Sequence, residues 1–219
     1  MNRIPIPFRS ATRSDLPFVA WCNYEATSPY PGFSYWDPLL DGFHTDTHEF
    51  IQTVLAHDAL AWGRVEDFVV GELDNQPVCG ASGFVMAPED YRPLRLDRLA
   101  VVAQTLGWST EQLALFEERY RQVWSDPHDP TLKPTGEWTI ECVAVQADYR
   151  HRGLGKQLLE AVIDLGRAQG YRTAGIAVTL GNEGAHALYR SVGFDPYLTY
   201  WPAYFHGQYP GTQKFIKTL

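Results

Sequence analysis

Cysteine is scarce in this chain. There are three, Cys22, Cys79 and Cys142, far apart and with no C-x-x-C pair. A disulfide framework or a cysteine-built zinc site is therefore not expected, and a reducing compartment, the cytoplasm, is the simplest setting. Long apolar runs are also missing. Nothing approaches the roughly 20 residues of a membrane span, and residues 1–15 carry two prolines and no apolar h-region, so neither a membrane contact nor a secretory signal is expected. Basic charge is short too, with 18 Lys and Arg against 26 Asp and Glu. The resulting net charge of −8 argues against nucleic-acid binding, which needs a basic surface. It suits an amine or cationic partner, and solubility alone accounts for it equally well. The histidines His44, His48 and His57 recur near helical spacing without completing a ligand pattern, so no metal is expected. No internal repeat or low-complexity tract is present.

What is present is an ordinary apolar share, 45%, and many aromatics: 7 Trp, 12 Tyr and 11 Phe. A length of 219 residues is within reach of one domain, 1–219, with a sizeable core.

The chain is organised around residues 138–155, WTIECVAVQADYRHRGLG. WTIECVAV is eight residues long, free of proline and rich in β-branched and apolar side chains, which favours a strand over a helix. Its one charge is Glu141. Strict alternation would put Thr139, Glu141, Val143 and Val145 on one face and Cys142 on the other. A carboxylate in such a strand is costly unless paired or used, and burial would raise its pKa into the range of a general base. After a polar turn come Arg150, His151, Arg152, Gly153, Leu154, Gly155 and Lys156, and then an amphipathic helix with Leu154, Leu158, Leu159, Val162 and Ile163 at helical spacing. Free amides and the positive dipole end of a helix, glycines that let the backbone approach, and basic side chains together make a pyrophosphate cradle.

Two phosphate motifs fail here. A dinucleotide fingerprint would need a third glycine where Leu158 stands, and a Walker loop would need Ser or Thr after Lys156. What remains is R-x-x-G-x-G after a strand ending V-A-V. Residues 179–194, TLGNEGAHALYRSVGF, add an N-x-x-A-x-x-L-Y-x-x-x-G-F element with Asn182, Ala185, Leu188, Tyr189, Gly193 and Phe194 in place. In both respects the sequence resembles the GNAT N-acetyltransferase superfamily, closely over residues 137–197. The resemblance implies an α/β fold with a mixed, largely antiparallel sheet flanked by helices. It implies acetyl-CoA as cosubstrate and transfer to an amine of a small molecule or peptide by direct attack in a ternary complex. The alternative is a catalytically silent acyl-CoA-binding sensor or scaffold. The amides from Arg152 to Lys156 would hold the cofactor, with Arg150, His151 and Arg152 adding side-chain contacts, and the backbone at Val143 and Val145 would pair with the pantetheine arm. Asn182 would bond the same arm, and Tyr189 would be the acid for the leaving thiolate. Glu141 is the favoured base, because the fifth strand offers only Ile176, Ala177 and Val178 where some relatives carry a Glu. Dimerisation is common in that family, and the sequence does not decide it.

The rest of the chain reads as a strand over residues 6–11 and a helix capped by Thr12 or Ser14, followed by an aromatic and proline-rich loop over 27–47. Then come a helix over 47–60 and a hairpin of 68–72 with 78–86 turning at Asp74, Asn75 and Gln76. Gly80 and Gly83 mark a bulge or a close backbone approach. Helices over 94–102 and 110–124, the latter with a Ser109–Gln112 capping box, form a helical insertion before the central strand. Strands over 171–178, 194–205 and 214–218 complete the pattern. Segments 27–62 and 88–136 are the expected substrate-side additions.

Overall fold

The computed structural model describes residues 5–30 and 32–219. Residues 1–4, the start of the stretch read above for a signal segment, and residue 31 lie outside that description. Thirteen regular elements follow one another among the described residues: β1 (Phe8–Ser10), α1 (Leu16–Ala26), α2 (Thr47–Ala56), β2 (Phe68–Leu73), β3 (Gln76–Phe84), α3 (Leu99–Thr105), α4 (Thr110–Val123), β4 (Trp138–Val145), α5 (Leu154–Ala168), β5 (Thr173–Thr179), α6 (Glu183–Ser191), β6 (Asp195–Tyr200) and β7 (Thr212–Thr218). The strands form one sheet in the order β1-β2-β3-β4-β5-β7-β6. Every pairing is antiparallel except β4 with β5. A parallel pair needs a crossover, and α5 supplies it.

Local chemistry fixes most element ends. Asp15 accepts from the Thr12 amide at 2.7 Å and from the Thr12 hydroxyl at 2.9 Å, which starts the turn into α1. Arg9 then ties Asp15 to Glu72 of β2 through its guanidinium. The β2–β3 hairpin turns on two residues, Asp74 and Asn75, at φ of 50° and 60°. Two consecutive left-handed residues match the twist of the flanking strands, so Gln76 belongs to β3 and not to the turn. The Ser109 hydroxyl accepts from the Gln112 amide and the Gln112 side chain accepts from the Ser109 amide, so the expected capping box is present. Helix α2 stops at Ala56, short of the expected 60, because Asp58 turns left-handed. Leu94 is not helical; it bridges Leu60, and α3 begins only at Leu99. The strand expected over 194–205 ends at Tyr200, where Pro202, which has no N–H, opens a 3-10 turn.

The sheet buries apolar side chains on both faces. On one, α1, α2, α3 and α4 cover Phe68, Val70, Cys142 and Ala144 with Val19, Phe50, Val102, Phe116 and Tyr120. On the other, α5 lays Leu154, Leu158, Leu159, Val162 and Ile163 over Trp138, Ile140, Ile176 and Phe215. Each fully buried Val, Leu, Ile or Phe among them contributes roughly 1.5–3 kcal/mol. Trp138 locks α5 to the sheet. A Cβ at Gly83 would lie 2.5 Å from its ring and one at Gly166 2.8 Å from it, so both neighbours are glycine because the indole fills the space. The indole N–H donates to the Val162 carbonyl at 3.2 Å.

Candidate active site

β4 and β5 pair only at Trp138–Ala174, Thr139–Gly175 and Ile140–Ile176. Beyond Ile140 the edge of β4 facing β5 has no ladder partner among the described residues, although β3 continues to pair with β4 as far as Val145. The strands part there, and backbone groups in the parting need a partner from elsewhere.

A β-bulge sits at the same point. Gly80 pairs with Ala144 and Ser82 with Glu141, so Cys142 and Val143 together face Ala81. Cys142 takes φ of 56°. The extra residue inverts the alternation: Trp138 and Ile140 pack under α5, and so do Val143 and Val145, while Cys142 and Ala144 pack toward α1. The expected shared face of Glu141 with Val143 and Val145 is thereby corrected. By alternation from Ile140, Glu141 lies on the Cys142 side. The bulge is held by buried polar groups. Asn23, fully buried, donates to the Cys142 sulfur at 3.5 Å and accepts from the Trp36 indole at 2.8 Å. The Ser82 hydroxyl donates to the Glu141 carbonyl at 3.2 Å. Burial pushes the Cys142 thiol up to about 12, which suits a packing residue and not a nucleophile.

Glu141 forms no ion pair within 4 Å among the described residues. Burial pushes its carboxyl up to about 7, against the pull of the Lys214 charge. Tyr189 approaches from α6, buried against Phe194 and, edge-on at 5.7 Å, against Phe215. Burial raises its phenol, and the nearby Glu141 charge raises it further, so it stays protonated at neutral pH.

The loop before α5 is strained open by His151 at φ 60° and Gly153 at φ 79°. Gly153 is the N-cap and has no side chain with which to cap α5, and a helix start of this kind favours an anion. Leu154 is buried and offers only its backbone. A Cβ at Gly155 would lie 3.1 Å from Leu188, so glycine lets α5 start close to α6. His151 and Arg152 are exposed, Arg152 over the Tyr149 ring at 5.4 Å, and Lys156 lies 3.9 Å from Glu160. Arg150 is engaged elsewhere: its Nε donates to the Val145 carbonyl at 2.9 Å and its guanidinium pairs with Glu25 at 3.3 Å. The Asn182 carbonyl oxygen accepts from the Ala185 amide at 3.1 Å, the helix cap its position suggests.

Two further polar clusters join distant segments. Tyr35 packs edge-on against Tyr209 at 5.4 Å, and the Tyr209 hydroxyl lies 2.9 Å from that of Thr179. Tyr200 donates to the Pro130 carbonyl at 3.1 Å. Lys214, 4% exposed, donates to the carbonyls of Pro130, at 2.9 Å, and Lys133. The one signal of Lys214 in the sequence is a lysine amid the alternation of TQKFIKT. His48 packs against Tyr24 at 4.5 Å, and the His57 ring lies 2.8 Å from the Thr105 hydroxyl.

Known proteins resemble the chain at two levels. The [Ribosomal protein bS18]-alanine N-acetyltransferase of Escherichia coli K12 is 42% identical over 59 residues, 27% of this chain and 40% of that protein. The L-methionine sulfoximine/L-methionine sulfone acetyltransferase of Pseudomonas aeruginosa PAO1 is 43% identical over 58 residues, 26% of this chain and 34% of that one. The chain thus matches less than half the length of either relative. A Salmonella typhimurium structure solved with its cofactor acetyl-CoA superimposes with a TM-score of 0.54 at 14% identity, covering 99% of this chain and 95% of that one, which is a likeness of fold. The family model for the acetyltransferase (GNAT) family matches residues 34–194, and the chain belongs to that family.

Proposed function

We propose that the chain is an N-acetyltransferase that moves an acetyl group from acetyl-CoA to an amine of a small molecule or peptide, by direct attack in a ternary complex. The observation that carries this is the meeting of three features at one place: β4 parts from β5, α5 begins without a cap, and Glu141 and Tyr189 flank the opening. Acetyl-CoA supplies the acyl group as a thioester. The amides of residues 152–156 hold its phosphates, aided by Arg152 and Lys156, while the backbone of Val143 and Val145 and the side chain of Asn182 hold its arm. Arg150 supports from behind by bracing the Val145 carbonyl. An alkylammonium near its usual pKa of ~10.4 is a poor nucleophile. Glu141, poised near neutrality, takes its proton, and the Tyr189 hydroxyl gives one to the departing sulfur. The two relatives acetylate a protein and amino-acid analogues by their names, so neither decides the acceptor class here. Residues 1–219 act as one unit in this reading, with segments 27–62 and 88–136 shaping the acceptor side.

The test is an amine screen with acetyl-CoA, following thiol release by wild type, Glu141→Gln and Tyr189→Phe. Turnover that falls about 10²-fold or more in both variants supports the reading. Full turnover by Tyr189→Phe removes the acid. Tight acetyl-CoA binding with no turnover on any amine points instead to a sensor.

A further inference from the structure

Ile140, Ile176 and Phe215 form one row across β4, β5 and β7, all three packed under α5. The next residue on each strand points to the opposite face. Those residues are Glu141, Ala177 and Lys214, with Ala177 paired to Lys214. Ala177 stands on β5 one row past the last β4–β5 pair, so on that face only a methyl group is interposed between the Glu141 carboxylate and the Lys214 ammonium. Lys214 is fixed from behind by the Pro130 and Lys133 carbonyls, and its ammonium lies 5.9 Å from the centre of the Tyr200 ring. It has no salt bridge within 4 Å among the described residues, although it is 4% exposed.

We propose that Lys214 is a positioning residue for Glu141: anchored by the 130–133 segment and facing the carboxylate across Ala177, its ammonium keeps Glu141 ionised and turned toward the parting of β4 and β5. The importance of this for acetyl transfer rests on the reading of Glu141 as base; the charge pairing itself does not. The other groups around Glu141 do not supply this charge. They are Tyr189 from α6, Tyr209 from the connection before β7, and Cys142 beside it, all acids with raised pKa. Lys214 in turn feels Asp129 and Lys133, of opposite sign to each other. Burial drives Lys214 down to about 8 and Glu141 up to about 7, and each charge opposes the other's shift. The arrangement also gives the segment between α4 and β4 a function, because its carbonyls hold the ammonium in place.

The pairing is read without any acceptor by nuclear magnetic resonance of protein labelled with 13C at the Glu carboxyl and Lys Cε carbons, with Glu141→Gln and Lys214→Met assigning the signals. Lys214→Met should raise the Glu141 titration by about 1 unit or more, and Lys214→Arg should restore it. Should Lys214→Met fail to fold, the reciprocal variant decides: Glu141→Gln should lower the Lys214 titration, because coupling between two sites acts equally in both directions. A Lys214 titration unmoved by Glu141→Gln, or a Glu141 titration unmoved by Lys214→Met, overturns the proposal. A carboxyl shift seen here with undiminished turnover by Glu141→Gln would uphold the pairing and sink only the base.

Discussion

The two halves of β4, Trp138–Ile140 and Val143–Val145, are both largely apolar and have different fates. From Trp138 to Ile140 the strand is paired to β5, and Thr139 and Ile140 are paired to β3 as well. Among the described residues Ala144 and Val145 are paired only to β3, past the bulge at Cys142 and Val143. The first half is core: its indole is wedged against two glycines and its side chains lie under α5. The second presents a free edge beside an uncapped helix N-terminus. One strand can thus serve as both scaffold and binding edge, because hydrogen bonding is surrendered at one residue while packing continues past it. The surrendered bonds are what an extended amide-bearing ligand arm would restore.

That contrast gives predictions of different kinds for the two halves. Trp138→Ala should cost about 3–5 kcal/mol, seen in denaturant unfolding, since no neighbour can fill the indole's space. Glu141→Gln should behave oppositely. Turnover should fall about 10²–10⁴-fold, and the wild-type decline in rate below a pH of about 7 should vanish with it. Yet the protein should become more stable above that pH. The folded carboxyl titrates near 7 against an ordinary 4.5, so ionising it costs stability as pH rises through that window. The amide removes a cost of about 3 kcal/mol above pH 7 and changes nothing below about 4.5. Thermal melting at two pH values checks the sign. Equal loss of stability at both would mean that Glu141 is structural. The smallest effect should come from Asn182→Ala. Loss of the α6 cap costs about 1 kcal/mol, and the KM for acetyl-CoA should rise with kcat little changed.

Much of this was legible in the chain because it is local. Trp138–Val145 follows from its run of β-branched and apolar residues, and the start of α5 from the glycines and the amphipathic stripe behind them. Ser109 and Asn182 follow from cap chemistry. What depends on partners far along the chain was not legible. The bulge at Cys142 is set by register with Gly80 and Ser82, some sixty residues earlier, so strict alternation put Glu141 on the face of Val143 and Val145. Arg150 looked free for a phosphate because neither Glu25 nor the Val145 carbonyl is near it in pattern. The burial of Lys214, which opens the expected last strand, depends on the carbonyls of Pro130 and Lys133, some eighty residues earlier. A lone carboxylate in an apolar strand was the clue that a buried cation should be sought.

The central claim is that the free half of β4 and the start of α5 form one acetyl-CoA site. Calorimetric titration of acetyl-CoA into wild type and Gly155→Glu, with ATP and NAD as controls, tests it most directly. The substitution sets a carboxylate at the uncapped helix start, where it opposes an anion by up to about 2 kcal/mol, and presses on Leu188. The account predicts binding of acetyl-CoA in preference to both controls, weakened at least about tenfold in a variant that still melts cooperatively. Equal affinity of a folded Gly155→Glu variant, or no binding by the wild type, would contradict it.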